Sequence, residues 1–127
     1  MAHRSRLSGL LIDCETGDLL SAATFWSQAL GLTVGGHEVG ETSEYVGLEG
    51  TPAGLNVGLQ RVTHPSRVHL DIEADDQDAE AARLEALGAR RIGWVKRWWV
   101  MEAPTGHRFC IVKMDKPDEG PPPTVWE

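Results

Sequence analysis

Ala29-Leu30-Gly31 is matched further along the chain by Ala86-Leu87-Gly88, each closing a helix-like segment that follows an apolar, strand-like one. Pro52-Ala53-Gly54 is echoed in the same order by Pro104-Thr105-Gly106, each a turn signal ahead of an apolar run. Two markers in one order predict an internal repeat of about fifty residues. With 127 residues in all, that repeat accounts for a single domain built as two halves, since chains this short seldom support two independent cores.

The first half, about residues 8–62, reads as strand, helix, three strands. Gly9 to Cys14 is the first strand. Leu19, Ala22, Ala23, Trp26 and Leu30 then recur at three- and four-residue spacing, which predicts a helix with one apolar stripe. Asp18 suits its N-cap, and Gly31 suits the left-handed position that ends it. Leu32 to His37, Ser43 to Leu48 and Leu55 to Val62 follow as strands between Gly- or Pro-containing turns. The second half, about residues 67–114, repeats the order: Val68 to Ala74, a helix from Asp76 to Leu87, then Ala89 to Val95, Trp98 to Ala103 and Arg108 to Met114. Asp75, Asp76, Asp78 and Glu80 crowd the start of the second helix, where carboxylates favour the positive end of the dipole. The tail, residues 117–127, carries Pro121, Pro122 and Pro123, which cannot continue a ladder, and is expected to be extended.

This pattern predicts an α+β fold in which each helix covers one sheet face and the opposite face is left for function. Alternation puts Leu70, Ile72 and Ala74 under the second helix and His69, Asp71 and Glu73 on the open face. The same parity puts Leu10, Ile12 and Cys14 under the first helix and Gly9, Leu11 and Asp13 opposite. In the last strand Cys110 and Val112 face the open side, with their first-half counterpart near Gly58. Trp94, Trp98 and Trp99 cannot all face one side, so some of these indoles are expected to be available to a ligand or a second subunit.

Composition narrows the partners. Nineteen acidic against twelve basic residues give a formal charge of -7, which repels nucleic acid and anionic membrane surfaces. No apolar run approaches the roughly 20 residues of a membrane span, and the first residues lead into no signal-peptide core, so a cytoplasmic protein is expected. Cys14 and Cys110 lie in strand-like contexts with neither zinc nor redox spacing and are read as reduced. No phosphate loop, nucleophile elbow or zincin pair is present.

The paired units, with Phe25-Trp26, Leu30-Gly31, His69-Leu70-Asp71-Ile72, Leu84-Glu85-Ala86-Leu87-Gly88-Ala89 and Pro104-Thr105-Gly106-His107-Arg108-Phe109-Cys110, resemble the vicinal oxygen chelate superfamily. That group includes glyoxalase I, bleomycin-resistance proteins and extradiol dioxygenases, and the likeness is greatest to its glyoxalase-like branch. The resemblance covers about residues 9 to 114. It implies two βαβββ modules, from one chain or two, whose mixed sheet curls into a half-barrel with the helices on the outer face; a homodimer is the expected assembly. Metal-dependent members take ligands from the first strand of each unit and a glutamate from a last strand. The corresponding positions here are Gly9, His69 and Cys110, of which only His69 fits, so no cofactor is expected; a divalent metal, if bound, would use His69.

The expected function is therefore binding of a small organic molecule in the cavity without a catalytic metal. His69, Asp71 and Glu73 would set polarity, while Leu11, Asp13, Trp94, Trp98, Trp99, Cys110 and Val112 complete the ligand-binding set. The alternative is a metal-dependent lyase, isomerase or dioxygenase using His69, with Asp71 or Glu73 supplying missing donors. A third, metal-free version makes Glu73 or His69 a general base on a carbon acid. Cys110 beside His107 lacks the geometry of an activated thiolate pair.

Overall fold

A computed structural model describes residues 2–127 of the chain. It contains two helices and a mixed, unclosed sheet of nine strands, an α+β fold. The chain divides into an N-terminal unit, Gly9–Val68, and a C-terminal unit made of the residues up to Ser8 together with His69–Glu127. Strand β1, His3–Cys14, contributes its first part to the second of these and its last part to the first.

In the N-terminal unit the end of β1 is followed by α1 (Leu19–Leu30), β2 (Thr33–Val39), β3 (Glu44–Glu49), a 3-10 turn at Pro52–Gly54 and β4 (Asn56–Arg61). The strand order is β2-β3-β4-β1, with β1 parallel to β4 and the others antiparallel. The Asp18 carboxylate accepts from the Ser21 amide at 3.1 Å, and Gly31, at φ 70°, turns its own N–H back to Ser27, so both expected helix ends are where the cap chemistry puts them. Leu19 and Ala23 of α1 bury against Ile12, Cys14, Val46, Leu48 and Leu59. Removing Leu19 from water contributes about 2 kcal/mol toward holding the helix on the sheet. Trp26 packs at the margin of this core, with Phe25 exposed and edge-on to it at 5.1 Å.

The C-terminal unit repeats the order as β5 (Arg67–Ala74), α2 (Gln77–Ala86), β6 (Arg90–Val95), β7 (Trp98–Glu102) and β8 (Arg108–Lys113), with β5 parallel to β8 and β8-β7-β6 antiparallel. The core is smaller: Ala74, Ala81, Met101 and Ile111, flanked by Leu84, Ala89, Trp99 and Phe109. Here the structure departs from the sequence reading in two ways. The first strand begins at His3 rather than near Gly9, and the tail ends in a ninth strand, β9 (Thr124–Trp126), antiparallel to the first part of β1. The prolines precede that strand and do not interrupt it.

Polar groups take the place of missing apolar area in this unit. Asp78 and Glu80 lie in the first turn of α2, as expected, and Asp76 caps the helix, accepting from the Ala79 amide. Glu80 turns inward and is fully buried. It accepts from Arg83 Nε and Nη2, both at 2.8 Å, and lies 2.8 Å from His3 Nε2. The Arg83 guanidinium stacks over the Trp126 ring at 3.7 Å, and Trp126 Nε1 donates to Ser5 Oγ. Arg6, also buried, pairs with Glu73 at 3.1 Å and donates to the carbonyls of Lys116, Pro117 and Pro121.

One guanidinium thus holds the Pro-rich segment at three carbonyls. Arg6→Ala is expected to leave those carbonyls and the Glu73 carboxylate without their donor, costing about 2–4 kcal/mol. Limited proteolysis is the check: cleavage within residues 115–123 should become faster in the variant, and an unchanged rate would show that the tail is held by β9 alone. Among the described residues, no helix is long and apolar enough to cross a membrane.

Candidate functional site

The register of the C-terminal unit fixes which side chains share its open face. Asp71 is level with Cys110 and Glu73 with Val112 across the parallel β5–β8 pair, while Val100 is level with Cys110 and Glu102 with Arg108 across β7–β8. Because side chains alternate, Ile111 and Phe109 go to the α2 core, and Cys110, Val112, Asp71, Glu73 and His69 go opposite. Trp98, the neighbour of the core-packed Trp99, joins this face by alternation and lines one cavity with Val112. These residues are half-buried rather than fully exposed.

At the centre of the face stands a cluster of three donors. One ligand atom each from His69, Asp71 and Cys110 lies within 4.8 Å of the other two. His69 Nε2 is 3.5 Å from Asp71 Oδ1, and that oxygen is buried with no hydrogen-bond partner. A buried carboxylate oxygen left so carries a desolvation cost of about 1–3 kcal/mol or more, which a donor or cation from a bound group would relieve. Glu73 stands apart from the cluster because Arg6 holds it.

The three indoles are divided as alternation requires. Trp99 packs with the α2 core, donates Nε1 to Asp78 at 2.8 Å and lies under the Arg91 guanidinium at 4.8 Å. Trp94, about half exposed, meets Trp99 edge-on at 5.2 Å. Trp94, Trp98 and Val112 together line a cavity of about 330 Å³ at the end of the sheet. Arg97 belongs to the run of cations and indoles from Arg90 to Trp99, which reads from sequence as a hairpin whose indoles flank a cavity or a dimer contact; Lys113 and Asp115, the other charged members of the cavity, carry no such signal.

The corresponding face of the N-terminal unit has other chemistry. Leu11 is level with Gly58, so that glycine occupies the place Cys110 holds in the second half. Leu11 is half-buried; Asp13 is 2 % exposed, with Arg67 Nε at 3.9 Å. A Cβ on Gly58 would fall 2.5 Å from the Tyr45 hydroxyl, so the tyrosine ring fills the space a side chain would take. Tyr45 was not singled out from sequence, where nothing marks a lone aromatic in β3. Gly9, the position of His69 in this half, is tighter still: its Cβ would meet the Asn56 carbonyl oxygen at 1.8 Å. Cys14 lies on the other side, in the core, where burial pushes its thiol pKa up and the Asp13 charge adds to the effect.

Residues 9–112 match the family described as the glyoxalase-like domain, and the chain belongs to it. This places it in the vicinal oxygen chelate superfamily. Among solved structures, a hypothetical protein from Bacillus halodurans aligns with a TM-score of 0.66 at 13 % identity, covering 91 % of this chain and 99 % of that one. Methylmalonyl-CoA epimerase from Mycobacterium tuberculosis aligns at 0.62 and 16 %, covering 87 % and 90 %. A Streptomyces coelicolor methylmalonyl-CoA epimerase variant, in complex with 2-nitronate-propionyl-CoA, aligns at 0.65 and 21 %, covering 87 % and 98 %. At these identities the likeness is one of fold. A search among curated proteins found no match.

Proposed function

We propose that the chain binds a small organic molecule on the open face of its C-terminal unit, without needing a catalytic metal. The observation that carries this reading is the buried Asp71 oxygen with no hydrogen-bond partner, beside His69 and Cys110 on a half-buried face that continues into an indole-lined cavity. Such a face supplies what small-molecule sites use, an apolar wall with a few convergent polar groups. Of the two bases considered from sequence, Glu73 is tied to Arg6 and His69 is the one at the polar centre.

A second reading, a metal-dependent lyase or isomerase, is favoured by the same cluster. Imidazole, carboxylate and thiol are together a donor set for a zinc-like ion, and three protein donors with one open position is the pattern of catalytic zinc. His69, Asp71 and Cys110 would hold it, and it would supply Lewis-acid polarisation of a bound oxygen.

Metal analysis and zinc titration of wild type, His69→Ala and Cys110→Ser separate the two. The binding reading expects no stoichiometric metal and a melting temperature that zinc leaves unchanged but a small organic ligand raises. One equivalent of zinc, bound at least about tenfold more weakly by both variants, would replace it with the metal reading.

A further inference from the structure

The cavity at the sheet end differs from its surroundings in charge. Its walls come from the β6–β7 turn, the end of β8 and the start of α2. Trp94, Trp98 and Val112 are its apolar part, and Arg97, Lys113 and Asp115 its charged part. Two cations against one carboxylate give the residues that line it a net positive charge, in a chain whose formal charge is -7. Lys96, with its ammonium 6.0 Å from the Trp98 ring centroid, adds a third cation at the edge.

The backbone that carries Arg97 and the ammonium of Lys113 are both held. Gln77 Nε2 donates to the Arg97 carbonyl at 2.9 Å and to the Ile111 carbonyl at 3.0 Å, so one amide ties the β6–β7 turn to β8 and spends both of its hydrogens doing so. The backbone turns at Lys96 with φ 52°, which sets the direction of the following residue. Lys113 donates to the Asp75 carbonyl, leaving two ammonium hydrogens for another acceptor. The Arg97 guanidinium makes no ion pair among the described residues.

We infer that this cavity selects a planar aromatic anion, its ring against Trp94 and Trp98 and its carboxylate or comparable anionic group at Arg97 and Lys113. The inference rests on the small-molecule reading above and names the class of ligand. A volume of about 330 Å³ lies at the lower end of small-molecule sites and admits a fused two-ring compound. Residues two apart on a strand are separated by about 7 Å, so Val112 keeps a ring in this cavity about that far from Cys110 and the His69–Asp71 centre. A neutral ring would gain the indole contacts alone, and a cationic one would meet Arg97 and Lys113.

The test compares three isosteric probes, naphthoate, naphthalenemethanol and naphthylmethylammonium, by tryptophan fluorescence and thermal shift. Naphthoate should bind at least tenfold more tightly than the alcohol, with the amine weakest. In an Arg97→Gln/Lys113→Gln variant the anion's advantage should vanish while the alcohol's affinity stays. Equal affinity for naphthoate and the alcohol in wild type would overturn the anion assignment and leave the binding reading standing. An anion preference that survives in the double variant would overturn the role of these two cations. No binding of any probe would overturn both this inference and the small-molecule reading of the cavity.

Discussion

Glu80→Ala is expected to lower the stability of the protein by about 3–5 kcal/mol, a fall in melting temperature on the order of 10 °C. The reason is that Glu80 is fully buried and holds other polar side chains, among them Arg83 through two hydrogen bonds and His3 through one. Removing the acid leaves those partners desolvated and unpaired, and it loosens the Arg83–Trp126 stack that helps hold β9. The pH dependence has a definite sign. Burial acts to raise the Glu80 pKa, but hydrogen bonds from Arg83, His3 and Ser5, with the Arg83 charge, outweigh it and hold the carboxyl below its ordinary value. A depressed acid contributes stability above its unfolded pKa, about 4.3, and loses it as pH falls through the lower folded value. Denaturant melts of wild type and Glu80→Gln should therefore differ by a constant amount near neutrality and converge below about pH 4. A gap that persisted unchanged into acid would mean that Glu80 is held by packing alone.

The second large effect concerns Gly9. Against the pattern of metal-dependent relatives, this position reads as a missing ligand, which suggests that Gly9→His would restore one. The structure gives the opposite expectation. A Cβ here would overlap the Asn56 carbonyl oxygen, carbon and nitrogen, at 1.8, 2.6 and 2.8 Å, and these are backbone atoms that cannot swing aside. The close approach belongs to the first rung of the β1–β4 pair, so any side chain pushes that pair apart. Overpacking typically costs about 1–3 kcal/mol, and a backbone clash on this scale should exceed it. Gly9→Ala and Gly9→His should both melt well below wild type, and Gly9→His should gain no zinc affinity. A stable Gly9→His protein that binds zinc tightly would show that the strands can separate at little cost.

Much of this architecture could be read from residue order. The repeat, the element order of both halves, the Asp18 and Gly31 caps and most of the assignment of faces from strand alternation follow from local rules, because each depends on residues within one or two turns of each other; Leu70, expected under the second helix, is exposed instead. The equivalence of Gly58 and Cys110 came from the same source. What stayed hidden depends on partners remote in sequence. His3, Arg4, Ser5 and Arg6 show no apolar alternation; His3, Ser5 and Arg6 are buried against Glu80, Trp126 and Glu73, and Arg4 pairs with Asp75, partners that no local pattern links to them. The ninth strand was concealed by the prolines ahead of it. At the candidate site, alternation was enough to group His69, Asp71 and Cys110, whereas the Arg6 pairing that removes Glu73 from that group required coordinates.

The sharing of β1 between the two units means that the duplicated stretch of sequence and the self-sufficient piece of structure are different objects. A peptide cut at the repeat boundary, carrying only the later copy, would lack His3, Ser5 and Arg6. Its inward-facing acid and its Pro-rich end would lose the counterparts that accommodate them. The first part of β1 is therefore a part the later half depends on rather than an ornament of the earlier one.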